Sequence, residues 1–280
     1  MTRHLPADRR GVKLIWPLSV VLALPLAIAA SCGGDDRGLT SIEPPDPPVG
    51  IAEMPDISPG PPQQTHMTRE KGRWLIRFST MLANVGVGDF ILRATKGPGG
   101  WEVAQDVPYS EDGAKVYPTR ARLVWGGDGH NHWHVARIAI GRLMPFTSEG
   151  PVPPRKGQGV ADTKVGFCYY DHSRLAEDAP QNVVYSHEAC GKEDDTAIGM
   201  GLSWGWMDIY GFKLPGQAID VTDVPDGKYR LWVNVDTNQW FQEARRDNNV
   251  TWVDLEIVTK ANGSRDLRNV RTGPPLDLGP

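Results

Sequence analysis

Between residues 74 and 258 the chain repeats one pattern. Short runs are either continuously apolar or alternate apolar with polar, and Gly, Pro, Asn and Asp bound them. Such runs read as β-strands. Residues 74–78 and 89–92 flank a turn signal at 84–88, Asn-Val-Gly-Val-Gly. A long run covers 134–143, and another covers 164–170. Residues 218–223, a Pro225-Asp226-Gly227 turn and residues 229–235 predict a hairpin, and 251–258 closes the series. Residues 54–58 predict an edge strand, since Pro55 cannot donate to a ladder. No long stretch carries the 3.6-residue period of a helix. The pattern predicts an all-β chain: one β-sandwich-like domain with long loops over residues 54–260, a size common for single β domains.

The two ends differ from this. Arg3, Arg9, Arg10 and Lys13 precede an apolar run, 14–30, broken by Pro17 and Pro25 and followed by Ser31. That is the pattern of a secretory signal peptide over residues 1–31, and the run is short for a membrane-spanning helix. Cys32 follows Ala29, Ala30 and Ser31, as in a bacterial lipobox, which predicts lipidation and anchoring to a membrane through Cys32. Residues 32–53, with Pro44, Pro45, Pro47 and Pro48, predict a disordered tether. Residues 261–280 read as a polar tail.

Export changes the meaning of the cysteines. In an oxidising compartment Cys168 and Cys190 read as one disulfide. Its loop of roughly 20 residues is worth about 3 kcal/mol in the chain-entropy view. Charge changes the picture less. The net charge is −4; the leader carries four basic residues and Asp8, or +3, so the remainder carries −4 − 3 = −7. An acidic surface disfavours nucleic acid and favours cationic partners. Ten tryptophans and 31 glycines suit a turn-rich β domain.

The candidate chemistry is concentrated in one segment. Three of the seven histidines are His130, His132 and His134, fed by Gly126, Gly127 and Gly129. On a strand, residues two apart share a face, so three imidazoles project to one side. On a helix they would not. Convergent imidazoles suit Cu, Zn, Fe or Ni. Three histidines and a water also fit a zinc hydrolase. A surface lipoprotein with a structural metal is the non-enzymatic alternative, and a solvated polar strand the bland one.

Several segments in order resemble the lysyl oxidase family of copper and quinone amine oxidases. The stretch from Trp74 to Phe90 resembles the family's first paired strands, and residues 125–134 resemble its copper segment. Lys164 to Cys168 resembles the segment carrying the lysine of the quinone, and Gly201 to Gly211 the segment carrying its tyrosine, here Tyr210. Residues 217–229 with Glu243, Asn248 and Asn249 are similar to the family's tail. The chain departs from the animal enzymes in its few cysteines and in Trp206-Met207, where a Cys-Tyr pair is typical. The resemblance implies Cu(II) on His130, His132 and His134, and lysine tyrosylquinone formed from Lys164 and Tyr210. It implies oxidation of primary amines, peptidyl lysine among them, by dioxygen, giving aldehyde, ammonia and hydrogen peroxide. Asp208 and Asp220 are both candidates for the base that removes the α-proton.

Overall fold

The computed structural model describes residues 48–126, 131–153 and 159–277. The leader, Cys32, most of the tether and His130 lie outside them. The described residues form sixteen strands. They are β1 (Ile57–Glu70), β2 (Arg73–Asn84), β3 (Phe90–Gly97), β4 (Gly100–Pro108), β5 (Ala114–Pro118) and β6 (Leu123–Trp125). β7 (Trp133–Thr147), β8 (Gly150–Pro151), β9 (Ala161–Phe167), β10 (Ser173–Arg174), β11 (Ala197–Leu202) and β12 (Trp206–Tyr210) follow. β13 (Ala218–Asp220), β14 (Gly227–Val235), β15 (Val250–Thr259) and β16 (Arg265–Thr272) complete the series. Among the described residues the one helical element is a 3-10 turn, His187–Cys190. The all-β expectation therefore holds.

Three antiparallel sheets result. One runs β1-β2-β12-β10, with β13 also on β2. A second runs β11-β3-β4-β5, and a third β16-β15-β14-β7-β6, with β8 and β9 also on β7. The first and third sheets face each other across an aliphatic core. Ile76 and Phe78 of β2 and Ile219 of β13 meet Tyr229, Leu231 and Val233 of β14 and Val253, Leu255 and Ile257 of β15. The inward residues alternate along each strand, as one buried face requires. On β14 and β15, Arg230 donates two hydrogen bonds to Asp254 and stacks 3.5 Å from the centre of the Trp252 ring. A second core draws on all three sheets and is richer in aromatic and sulfur groups. It holds Phe90, Ile138, Phe167, Cys168, Tyr169, Met200, Trp206, Tyr210 and Phe241.

Four expectations need correction. The strands of 74–78 and 89–92 do not pair: β2 bonds to β1, β12 and β13, while β3 bonds to β4 and β11. Asn84 turns the chain between sheets, accepting from the amides of Asp56 and Gly86 and donating to the carbonyls of Gly88 and Leu202. The hairpin of 218–235 does not form either. β13 pairs with β2 and β14 with β7 and β15, because both bury apolar faces in the same core from opposite sheets. The polar tail contains β16, which pairs along β15 after a turn at Asn262 and Gly263. Arg265 fixes it by donating to the carbonyls of Val221 and Val224. The tether is not free to residue 53, since Val49 and Ala52 form bridges with Asp112 and Tyr109.

Candidate active site

β6 and β7 form a hairpin that carries the histidine segment. Val124 stands opposite His134 and Trp125 opposite Trp133. The Gly126 amide extends the pairing by donating to the His132 carbonyl over 3.1 Å. His132 thus sits just before the strand and His134 within it. Two of the three histidines share a face: His132 and His134 are both buried, with ring centroids 4.5 Å apart, while His130 lies outside the described residues. Trp133 points to the other face, where it packs on Trp101 and Trp125 and donates to the Lys192 carbonyl. β9 lies close against the histidine strand at Gly166. A Cβ there would stand 3.1 Å from both the His134 Cβ and the Val135 carbonyl oxygen.

The tyrosine meets the histidines at this place. Tyr210 ends β12, its ring 5.8 Å from His134 and 4.1 Å from Phe167. The Cys168 amide donates to its phenol oxygen over 3.0 Å. Cys168 is bridged to Cys190, with Cα atoms 5.7 Å apart. Cys190 ends the 3-10 turn that begins at His187, and the His187 ring lies 4.6 Å from His132. One covalent link thus ties the wall bearing His187 to the strand end that holds Tyr210. Burial, and then the nearby Asp208, push the Tyr210 phenol well above its ordinary pKa.

The structure separates the two candidate acids. Asp208 lies two residues before Tyr210 on the same buried face of β12. It is fully buried, and neither carboxyl oxygen has a side-chain partner among the described residues. Burial raises its pKa far above the carboxylate range. Buried Asp171 makes the contrast: it accepts from the amides of Val184, Tyr185 and Ser203 and from the Ser203 hydroxyl. A carboxylate satisfied in this way is structural; a carboxyl buried without side-chain partners next to a cavity-lining tyrosine is a candidate for proton transfer. Asp220 is exposed, 3.0 Å from Arg73, and caps a turn by accepting from the Thr222 hydroxyl and amide. Those hydrogen bonds lower its pKa.

Lys164 stands elsewhere. It pairs with Ile140 on β9, three residues before Phe167 and therefore on the opposite face. Its side chain is exposed, with the ammonium 4.0 Å from Asp162. His132, His134, Tyr210 and Asp208 are brought together, and Lys164 is turned away from them.

A cavity of about 390 Å³ opens on the site, lined by Asn131, His132, Tyr170, His187, Ile209, Tyr210 and Leu214. Tyr170 is half-buried, and burial with the nearby Asp208 pushes its phenol up to about 12. Sequence reasoning missed Tyr170, His187 and Leu214. Each lies in a separate segment, and the sole hint was the placement of His187 three residues before a bridged cysteine. Among the described residues no three His, Cys, Asp or Glu side chains form a complete metal-binding set. The two buried imidazoles side by side nevertheless fit part of a copper or zinc donor set. No helix among the described residues is long and apolar enough to cross a membrane.

The lysyl oxidase family model matches residues 107–263. Human (Homo sapiens) protein-lysine 6-oxidase is 27% identical over 188 residues, covering 66% of this chain and 34% of that protein. The pig (Sus scrofa) protein-lysine 6-oxidase is 26% identical over 188 residues, 66% of this chain and 58% of that one. Chicken (Gallus gallus) lysyl oxidase homolog 2 is 26% identical over 178 residues, 64% of this chain and 18% of its own length. The match thus spans less than two thirds of each of these relatives. With the family model covering more than half of its residues, the chain belongs to the lysyl oxidase family.

Proposed function

We propose that this chain is a copper-dependent amine oxidase acting on primary amines, peptidyl lysine among them. The balanced reaction is R–CH2–NH2 with O2 and H2O giving R–CHO, NH3 and H2O2. The observation that carries this reading is the meeting of His132, His134 and Tyr210 beside one cavity, with the buried Asp208 next to Tyr210. The relatives' name, protein-lysine 6-oxidase, supports the same reaction class.

His130, His132 and His134 would hold the copper, and Lys164 and Tyr210 would be the residues of the quinone. When present, the copper and the quinone together would supply two-electron oxidation of the amine, with dioxygen as final acceptor. The chain's own residues do the rest. The Cys168 amide holds the Tyr210 oxygen and so fixes the direction of its ring. Phe167 excludes water from one face of that ring. Asp208, on the same face of β12 beside Tyr210, would take the proton that leaves the substrate's α-carbon only after giving up its own, since burial favours its neutral form. Lys164 joins Tyr210 only after β9 or the Tyr210 segment rearranges, since its amine faces Asp162. In this reading the chain is exported, released from its leader before Cys32 and anchored there by lipid. Cys32→Ser should move it from the membrane fraction to the soluble one.

The test is the visible spectrum of copper-loaded protein before and after phenylhydrazine. A quinone band that phenylhydrazine shifts, absent in Tyr210→Phe, is the expected result. Amine-dependent peroxide production by copper-loaded Tyr210→Phe at the wild-type rate would overturn the reading.

A further inference from the structure

Beyond its metal and tyrosine side, the cavity has a second wall that the chemistry above does not use. It is made of Tyr170, His187, Ile209 and Leu214. Tyr170 and His187 stand with ring centroids 5.3 Å apart and planes at 90°. Perpendicular rings offer an edge beside a face, and an aryl ring can pack favourably on either. Ile209 and Leu214 add aliphatic surface. Leu214 is held in place from outside the cavity. Arg77 donates to the carbonyls of Phe212 and Leu214 and is itself clamped by two hydrogen bonds to Glu70. The Phe212 amide donates to Ser79 Oγ, and the Leu214 amide to the Gly211 carbonyl. The wall is therefore built before any ligand arrives, and preorganised apolar surface binds without an ordering cost.

We propose that this wall is the specificity-determining surface of the site, and that it selects primary amines whose tail is an aryl ring over amines whose tail is polar. The inference rests on the amine-oxidase reading for its amino group and on the wall alone for its tail. With the amino group directed at Tyr210, the tail lies against the cavity side of the Tyr170 and His187 pair and over Leu214. A cavity of about 390 Å³ falls within the range of small-molecule sites, so an open cleft, not a flat surface, receives the tail.

The experiment uses probes that bind without reacting. N,N-dimethylbenzylamine and N,N-dimethylethanolamine carry the same tertiary amine, which cannot be oxidised as a primary amine is, and differ in the tail. Calorimetric titration of each into the copper-loaded full chain should show the benzyl compound binding at least about tenfold more tightly, the scale of discrimination a hydrophobic pocket achieves. Leu214→Asn and Tyr170→Ser should each bring the ratio toward one while copper stays bound. Equal affinities in the unaltered chain would overturn the proposal, as would a ratio that both variants leave unchanged. In a parallel assay, benzylamine should be oxidised with a lower KM than ethanolamine, and Leu214→Asn should raise KM for benzylamine alone. If neither amine yields peroxide, the amine-oxidase reading fails, while the tertiary amines still decide the tail preference.

Discussion

The two cores differ in what they bury. The one between the first and third sheets is aliphatic, and its residues alternate along β14 and β15. The one beneath the cavity holds a disulfide, Tyr169, Tyr210 and Phe167, with Asp208, Asp171 and two histidines buried around it. Aliphatic burial is favourable wherever it occurs. Burying a carboxyl or an imidazole is unfavourable unless it is paired or put to use. The first core therefore supplies the stability against which the second can hold groups such as Asp208.

This division can be broken from the site side with the largest effect. His134→Ala removes one of the two buried imidazoles, so bound copper after dialysis should fall to background while the folded chain persists. Retained copper would take His134 out of the site. Asp208→Asn should come next. Loss of a general base lowers kcat by about 10²–10⁴-fold. Metal content should be unchanged, and unfolding in urea should show the variant no less stable than the parent, because a buried carboxyl without side-chain partners is gone. A large stability loss would instead mark Asp208 as structural.

From the scaffold side, Leu231→Ala opens a cavity in the aliphatic core and should cost about 2–5 kcal/mol. Copper stoichiometry at low temperature should stay at the parent value. If copper is lost together with stability, the two cores are one cooperative unit and the division is wrong. Cys190→Ser should cost about 3 kcal/mol by freeing the loop. Unlike the leucine variant, it should also narrow the preference for the benzyl amine, because the wall bearing His187 is untied.

The smallest effect sharpens the picture. Glu243 is half-buried and accepts a hydrogen bond from Asn249; desolvation pushes its carboxyl up to about 8. The native state keeps the proton, whereas the unfolded chain releases it near the ordinary value of 4.5. Stability from this group is present below about 4.5 and is lost as pH rises through about 8. Glu243→Gln should flatten the fall in urea midpoint between those values. An unchanged slope would place the titration elsewhere.

How much of this was legible in the sequence follows the same division. The aliphatic core was readable because alternation is a local signal, and residues 229–235 and 251–258 became β14 and β15 with boundaries shifted by two residues or fewer at each end. Partner choice was not readable. The runs 218–223 and 229–235 look like a hairpin, yet they serve opposing sheets, since the shared core between them is a property of the whole fold. Residues 265–272 read as tail because exposed edge-strand residues are polar, and only pairing with β15 reveals the strand. At the site, the histidine alternation and Tyr210 were legible as motifs, and the cysteine pair followed from the exported context. The choice of Asp208 over Asp220 needed burial, which two similar Asp-containing segments do not disclose. The wall of Tyr170, His187 and Leu214 comes from segments whose meeting no spacing predicts.

The bridge between Cys168 and Cys190 gives the cavity a history. A peptide chain leaves synthesis with two thiols, and the sulfurs join later. Until they do, nothing covalent fixes the turn of His187 against the amide that holds the Tyr210 oxygen. The sandwich of aliphatic residues needs no such event. The aliphatic core holds no cysteine, so forming the bridge adds a covalent tie to the cavity wall alone. In the proposed exported state, the compartment the chain reaches decides whether that tie forms.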